Sequence, residues 1–176
     1  DGGLWRSDGT PDGTTKVATH MRAASELRAA GGLLYFAAAE AGSGSELWVT
    51  DGTEAGTRRV ADMAAGLARS DPAGLVAFGE LVAFTADDGV SGRELWVSDG
   101  MEAGTRRVAD LAAGPEDGLE LGTRLVSDDQ RLFFSRYERE TGIELWVSDG
   151  TEGGTRLLQD IAPGAARVGW DAEPPG

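Results

Sequence analysis

Carboxylates that recur at fixed positions are the groups in this sequence with the most scope for chemistry. Asp51, Asp99 and Asp149 each start an Asp-Gly stretch that is followed by Gly-Thr, and Asp8 starts a degenerate copy. Ca²⁺ takes about six to eight oxygen ligands, whereas each of the three intact loops offers one aspartate and one glutamate. An aspartate also accepts backbone N–H bonds two residues on, in a turn that the following glycine permits. We therefore expect structural loops without a metal or other cofactor, with Ca²⁺ at Asp51, Asp99 and Asp149 as the alternative.

A second set of carboxylates, Glu46, Glu94 and Glu144, lies two residues before the tryptophan in each of the last three copies. Two carboxylates can hydrolyse a glycosidic bond when they flank it, about 5–10 Å apart. Equivalent positions of a repeated unit are spread out in space, so these glutamates are not expected to meet. We predict instead that each pairs with a neighbouring arginine or a loop N–H group.

The composition excludes several other kinds of site. The chain has 176 residues, no cysteine and one histidine, His20, which rules out disulfides, Cys-ligated metals and multi-histidine metal sites. It also lacks nucleophile-elbow and phosphate-loop motifs. Its 16 basic and 30 acidic residues give a net charge of −14, which argues against nucleic acid or an anionic membrane surface as the partner. No apolar run approaches the roughly 20 residues that cross a bilayer, so we expect no membrane insertion.

The carboxylates belong to an internal repeat marked by tryptophan. Trp48, Trp96 and Trp146 each lie in a Glu-Leu-Trp-Val run, and Trp5 lies in the degenerate first copy, at spacings of 43, 48 and 50 residues. Such spacing suits a unit of four short strands and their turns. Because each tryptophan stands between a leucine and a valine, we expect core packing rather than a sugar-stacking platform.

The alternation within the repeat predicts the fold class. Leu95 and Val97 point to one side of their strand and Trp96 to the other, so that both sides of the sheet carry large apolar groups. An open sheet with one wet face does not need this pattern, whereas sheets stacked around an axis do. We predict an all-β β-propeller built of four-stranded antiparallel blades. The Ala-rich stretch His20–Ala30 could instead form a short helix.

Counting strands gives two in the first copy and four in each of the others, about three and a half blades. The chain is then an arc of a larger propeller, completed by a second chain or by a further segment of a parent protein, or else a small four-bladed ring. The predicted organisation is a single propeller region, 1–176, divided into a partial unit 1–19, full units 20–62, 63–110 and 111–160, and a tail 161–176. Trp170 in the tail could cap the last blade or anchor a partner.

These residues resemble the bacterial ELWxxDGT-repeat proteins. The resemblance covers four motif copies and includes the connector Asp-Ile/Leu-x-x-Gly, as in Asp110–Gly114. The sequence departs from the motif at Gly3, Arg6 and Met101. The resemblance implies a β-propeller in an exported protein, extracellular or at the cell surface, and it implies no known activity.

The variable loops of such a propeller are where we expect a partner. Connectors between blades share a face with the loops between second and third strands, and variable loops on a fixed scaffold are typical of binding modules. The candidate binding residues are Tyr137, Glu138, Arg139 and Glu140, with Asp87 and Asp88 in the equivalent loop. We predict a non-catalytic binding or scaffolding module for a protein or glycan. The alternative is a carboxylate-based glycan hydrolase or lyase with two acidic residues converging over the axis.

Overall fold

The computed structural model describes residues 3–139 and 141–160. Within them the chain forms antiparallel strands and one 3₁₀ turn, Glu102–Gly104. In chain order the strands are β1 (Leu4–Arg6), β2 (Thr15–Ala18), β3 (Met21–Ala30), β4 (Leu33–Glu40), β5 (Ser45–Thr50), β6 (Arg58–Arg59), β7 (Ala73–Phe78), β8 (Leu81–Asp87), β9 (Arg93–Ser98), β10 (Arg106–Arg107), β11 (Val126–Ser127), β12 (Leu132–Glu138), β13 (Gly142–Ser148) and β14 (Arg156–Gln159). None of the helices in this part of the chain has the length and hydropathy to span a bilayer.

The strands form four separate antiparallel sheets, which are the blades of a propeller arc. Blade 1 has two strands, β1 and β2, and blades 2, 3 and 4 have four each, β3–β6, β7–β10 and β11–β14. Each blade runs up and down in sequence order, so neighbouring strands are joined by short turns. The predicted all-β propeller of about three and a half blades is confirmed.

The blades stack face to face through two kinds of surface. The leucine face of a blade carries the Leu and Val of its Glu-Leu-Trp-Val strand, and the tryptophan face carries the Trp on the other side. Leu47 and Val49 of blade 2 pack in one core with Trp96 of blade 3, and blade 4 places Trp146 against the leucine face of blade 3 in the same way. The core is therefore a series of layers between blades, as the alternating apolar pattern requires.

The predicted helical alternative for the Ala-rich stretch is wrong, because residues 21–30 form β3. Gly31 and Gly32 both have positive φ, 54° and 75°, as a two-residue primed turn requires, and this turn folds β3 back onto β4. Ala23 and Glu26 also have positive φ, at the two register shifts between β3 and β4. These bulges let a ten-residue strand follow the curvature at the centre of the arc.

The loops divide between the two ends of the blades. The connector after blade 3 lies beside the start of β9, where Leu119 donates its N–H to the carbonyl of Arg93 at 3.0 Å. We call this end the connector face. The Asp-Gly-Thr loops lie at the opposite end, where a Cβ on Gly150 would approach the ring of Phe78 in the preceding blade to 2.7 Å. The predicted sharing of one face by connectors and second-to-third-strand loops is thus observed.

Candidate functional site

Buried glutamates attach the connectors to the blades. Glu46 is fully buried, and its carboxylate accepts the N–H groups of Met63 and Ala64, at 3.2 and 3.3 Å, and the hydroxyl of Ser70 at 2.6 Å. Burial raises the pKa of Glu46, and these hydrogen bonds oppose the rise. The glutamate therefore fixes the start and the end of the connector that follows its blade.

Glu94 repeats this arrangement in blade 3. Its two carboxylate oxygens accept the N–H groups of Leu111 and Ala112 at 3.1 Å each. Burial raises the pKa of Glu94 to about 7, against the opposing effect of these two hydrogen bonds. A Cβ on Gly118 would lie 2.4 Å from the carboxylate, so only glycine fits where the connector passes over it. The predicted pairing with loop N–H groups is confirmed for Glu46 and Glu94.

Glu144 is buried at the equivalent place in blade 4. The residues that correspond to the partners of the other two glutamates are 161 and 162, and they lie outside the described residues. The three glutamates lie in three different blades, consistent with the expectation that they do not meet.

The connector face of blade 4 contains a cleft of about 490 Å³. It lies between the second-to-third-strand loop of that blade and the connector that precedes the blade. Its lining residues are Ala112, Glu116, Asp117, Arg136, Tyr137, Glu138 and Arg139. The cleft therefore contains three of the predicted binding residues, Tyr137, Glu138 and Arg139. Glu140 lies outside the described residues.

Arg136 forms the base of the cleft and was not identified from the sequence. Its guanidinium donates to the carbonyl of Gly118 at 3.0 Å and to that of Leu111, and it pairs with the carboxylate of Glu138. It also lies over the ring of Trp146, 5.0 Å from the centroid. A side chain that is held by all of these contacts loses little further entropy on binding, which makes the base of the cleft preorganised.

The sequence does contain a signal for Arg136. The equivalent positions in the other blades are Ala38 and Ala86, whose carbonyls accept the indole N–H groups of Trp48 and Trp96. An arginine at this point of the repeat is therefore an exception to a small-residue position. Comparing the copies position by position, rather than looking for catalytic motifs, would have singled it out.

The rim of the cleft combines an aromatic ring with charges of both signs. Tyr137 is 37% exposed, and Arg139 is exposed beside it. Glu116 is also exposed, and Asp117 accepts the backbone N–H of Arg93 at 2.7 Å, which fixes its position. Such a rim can stack on a planar group or sugar ring and can hydrogen-bond to hydroxyl or charged groups.

Asp87 and Asp88 lie outside the lining of this cleft. Asp88 accepts the N–H groups of Val90 and Ser91 at 2.9 and 2.7 Å, and Asp87 accepts that of Gly89 at 2.7 Å. Burial by itself would raise the pKa of Asp88, but the hydrogen bonds from Ser91 and Val90 outweigh it, so that the pKa is lowered. The structure gives both aspartates a role in shaping their own loop and does not bring them together with Tyr137.

The Asp-Gly-Thr loops are closed by their own hydrogen bonds. The Asp51 carboxylate accepts the N–H and the hydroxyl of Thr53 at 2.8 and 2.7 Å, and Asp8 and Asp149 make the same two bonds. These bonds lower the pKa of all three aspartates, and the bond from the threonine hydroxyl has the largest effect. Asp99 accepts only a backbone N–H, that of Met101 at 2.8 Å. Across the described residues, no three His, Asp or Glu side chains cluster in a way that could hold a metal ion.

The motif tryptophans differ in burial along the arc. Trp48 is 2% exposed and packs on Phe36, with its indole N–H bonded to a carbonyl of β4. Trp96 and Trp146 are only partly buried, although both pack against the leucine face of the preceding blade. Trp5 is 56% exposed. The expected core packing is therefore complete for Trp48 and partial for Trp96 and Trp146.

A second cavity, of about 590 Å³, lies between the first strands of blades 2, 3 and 4, at the axis of the arc. Glu26 is the one carboxylate among its described lining residues, and its Oε2 accepts the N–H of Gly74 at 3.0 Å. Arg28 donates to the carbonyl of Leu75 at 3.0 Å. A two-carboxylate hydrolase needs a second acidic group within about 5–10 Å of the first, and the described lining of this cavity supplies Glu26 alone.

No family model and no curated protein sequence matches this chain. Among solved structures, the chain can be superposed on the crystal structure of the tricorn protease with a TM-score of 0.35 and 13% sequence identity. The superposition covers 90% of this chain and 19% of the other, so this chain spans about a fifth of the length of that protein.

Proposed function

We propose that this chain is a non-catalytic binding module that captures a protein or a glycan in the cleft on the connector face of blade 4. The observation that carries the proposal is the fixed base of the cleft under an exposed rim. Arg136 is held by two carbonyls and a carboxylate, while Tyr137 and Arg139 remain accessible at the edge. Tyrosine and arginine are enriched among residues that dominate binding energy.

The charges around the cleft define the chemistry of the partner. Glu116, Asp117 and Glu138 are acidic, and Arg136 is already neutralised by Glu138, so that Arg139 is the one free cationic group among the described lining residues. A polar partner with hydroxyl or cationic groups therefore suits the cleft better than an anionic polymer. The net charge of −14 points the same way, because it repels polyanions over the whole surface.

We further propose that the chain belongs with the ELWxxDGT-repeat proteins and acts outside the cell or at its surface. Support comes from the four motif copies and from the connectors, whose amides are held by the motif glutamates of blades 2 and 3. In this arrangement the invariant part of the repeat builds the arc. The loops of the connector face are left to differ between copies and to set what is bound.

A glycan array and a pull-down with the immobilised chain test the proposal. The test variant is the double substitution Tyr137→Ala and Arg139→Ala, and the control is Glu54→Ala, an exposed residue in an Asp-Gly-Thr loop at the opposite end of the blades. We expect bound partners to be lost by the double variant, at least about tenfold in affinity, and retained by the control. Equal retention by both variants would contradict the proposed site, and the array and pull-down arms distinguish glycan from protein.

A further inference from the structure

The two ends of the arc leave complementary faces uncovered. Val60, Val108 and Leu158 each lie two residues after the first arginine of the fourth strand. Val60 and Val108 pack on the leucine face of their blades. Leu157 lies opposite Trp146, so Leu158, the next residue, is on the leucine face of blade 4 by alternation. Val60 and Val108 are 4% and 3% exposed under the next blade, whereas Leu158 in blade 4 is 42% exposed. At the other end, the tryptophan face of blade 1 carries Trp5. This residue is exposed, whereas Trp48, at the equivalent position of blade 2, is buried.

Blade 4 extends its uncovered face with a further apolar residue. Ile143 lies two positions before Leu145 on β13, on the same side of the strand, and is 60% exposed. The equivalent residues in the preceding blades are Ser45 and Arg93, which are polar. Ile143 and Leu158 are exposed and Leu145 is half-buried, so that together they form an apolar surface that the described residues cover only in part.

Two of the three interfaces between the described blades, blade 1 with blade 2 and blade 3 with blade 4, also contain a directional hydrogen bond. Arg6 of blade 1 donates to the carbonyl of Gly52 in the Asp-Gly-Thr loop of blade 2 at 3.3 Å, and Arg106 of blade 3 donates to that of Gly150 in blade 4 at 2.9 Å. Arg156 stands at the position of Arg106 in blade 4. The matching glycine on blade 1 is Gly9, which follows Asp8 as Gly150 follows Asp149.

We propose that the leucine face of blade 4 binds the tryptophan face of blade 1 in a second copy of this chain, head to tail. Trp5 of one copy packs on Leu145 and Leu158 of the other, and Arg156 donates to the carbonyl of Gly9. The occupant is a second copy because one chain carries both halves of an interface that already joins its own blades. Both faces are exposed within a single copy, so they do not cover each other there.

Two such copies close into a ring rather than a filament when both interfaces form at once. Each copy contributes about three and a half blades, so that the pair has about seven, within the usual range for propellers of about four to eight blades. The net charge of −14 on each copy opposes this association. Salt screens that repulsion and leaves apolar contacts intact, so association strengthens as salt is added. The main contacts of this proposal, Trp5, Leu145, Arg156 and Leu158, are not residues of the connector-face cleft, but Ile143 lies opposite Tyr137 on the neighbouring strand, so the two surfaces meet at that edge of blade 4.

Paired variants test the head-to-tail contact. Leu158→Asp removes one half of the interface and Trp5→Asp the other, while Val90→Asp places the same charge on an exposed loop away from both faces. Light scattering is used to follow mass from 18.3 kDa upwards with concentration. We expect the wild type and the loop variant to dimerise, and each end-face variant alone to associate at least about tenfold more weakly. An equimolar mixture of the two end-face variants restores a dimer through the one intact interface.

The mixture separates this contact from other arrangements. A wild type that stays at 18.3 kDa in high salt overturns the proposal and leaves a further segment of a longer parent as the occupant. Dimerisation by either end-face variant alone also overturns it, because the interface would then join like faces. Leu158→Ser and Trp5→Ser replace the aspartate variants if the latter lose the β-sheet circular dichroism of the wild type. The same pattern of pairing is expected from them.

Discussion

At the scale of single residues, Met101 shows what the threonine of the repeat contributes. In blades 2 and 4 the threonine hydroxyl donates to the loop aspartate and accepts the N–H of the following glycine, Gly56 in blade 2. Met101 has no hydroxyl, and the N–H of Gly104 bonds instead to the carbonyl of Met101 at 3.2 Å. This is the loop in which the 3₁₀ turn Glu102–Gly104 forms, so the loss of one hydroxyl changes the local backbone.

Restoring threonine at this position should stabilise the protein. Met101→Thr adds two hydrogen bonds and removes an exposed apolar side chain, so we expect the free energy of unfolding to rise by about 1 kcal/mol. Urea denaturation measures it. Met101→Val, which has the shape of threonine without the hydroxyl, is the matched control. A gain of equal size in the control would show that the hydroxyl has no part in closing the loop.

The raised pKa of Glu94 links stability to pH. The pKa of the Glu94 carboxyl is about 7 in the folded chain and 4.5, its ordinary value, in the unfolded chain. Between these two pH values the folded state therefore binds a proton that the unfolded state does not. The free energy of unfolding therefore falls as pH rises through this window. Glu94→Gln removes this titration and should flatten the dependence, leaving the part contributed by Glu46, whose pKa is also raised.

Urea midpoints between pH 4.5 and 7 measure this slope. Glu80→Gln, on the exposed turn between β7 and β8, is the control because it also removes one negative charge. An unchanged slope in Glu94→Gln, or the same flattening in both variants, would show that the buried glutamate is not the group that titrates.

At the scale of secondary-structure elements, the contribution of each third strand to the stability of the fold depends on what covers its tryptophan. Trp48 is buried between blades 1 and 2, so Trp48→Ala should cost about 3–5 kcal/mol of stability. Trp5→Ala in dilute solution should change stability by less than about 0.5 kcal/mol, because the ring is mostly in solvent. Chemical denaturation of both variants gives the comparison. A loss for Trp5→Ala as large as that for Trp48→Ala would mean that blade 1 is covered in the isolated chain.

The Asp-Gly-Thr loops should be indifferent to calcium. Their aspartates already accept hydrogen bonds from the following residues within the loop, so an ion would have to displace these bonds. Melting temperatures with EDTA and with millimolar Ca²⁺ should therefore agree. A ligand that binds only the folded state raises its stability by mass action, and a marked rise with Ca²⁺ would establish the metal-site alternative.

The alternation of apolar residues was enough to predict how the blades stack. Leu95 and Trp96 face opposite sides of β9, and a sheet that is apolar on both sides must be covered twice. The bulges of β3 were not predictable, because the positive φ of Ala23 and Glu26 follows from the path of an inner strand and not from their residue types. Arg136 was missed for a related reason, since its role depends on the carbonyls of a connector 18 and 25 residues away.

At the scale of the whole molecule, the residues that build the arc are largely different from those that line the proposed binding cleft. Motif residues hold the blades together through buried tryptophan contacts, Asp-Gly-Thr loops and glutamate-bound connectors. Residues of the connector face differ between copies, and Arg136 and Tyr137 stand there in place of the alanines of blade 2. The open faces at the two ends of the arc are the surfaces of the proposed assembly, and on blade 4 they meet the proposed binding surface where Ile143 lies opposite Tyr137.

Hydrogen exchange of the wild-type chain, with and without a captured partner, locates the surface that binds the partner. If the connector face of blade 4 is the binding surface, amides in residues 111–119 and 136–139 should gain protection when the partner is bound. Those in the Asp-Gly-Thr loops at the opposite end should stay unchanged. Protection confined to the loops that contain Asp51, Asp99 and Asp149, with none at Tyr137, would contradict the assignment of the binding surface.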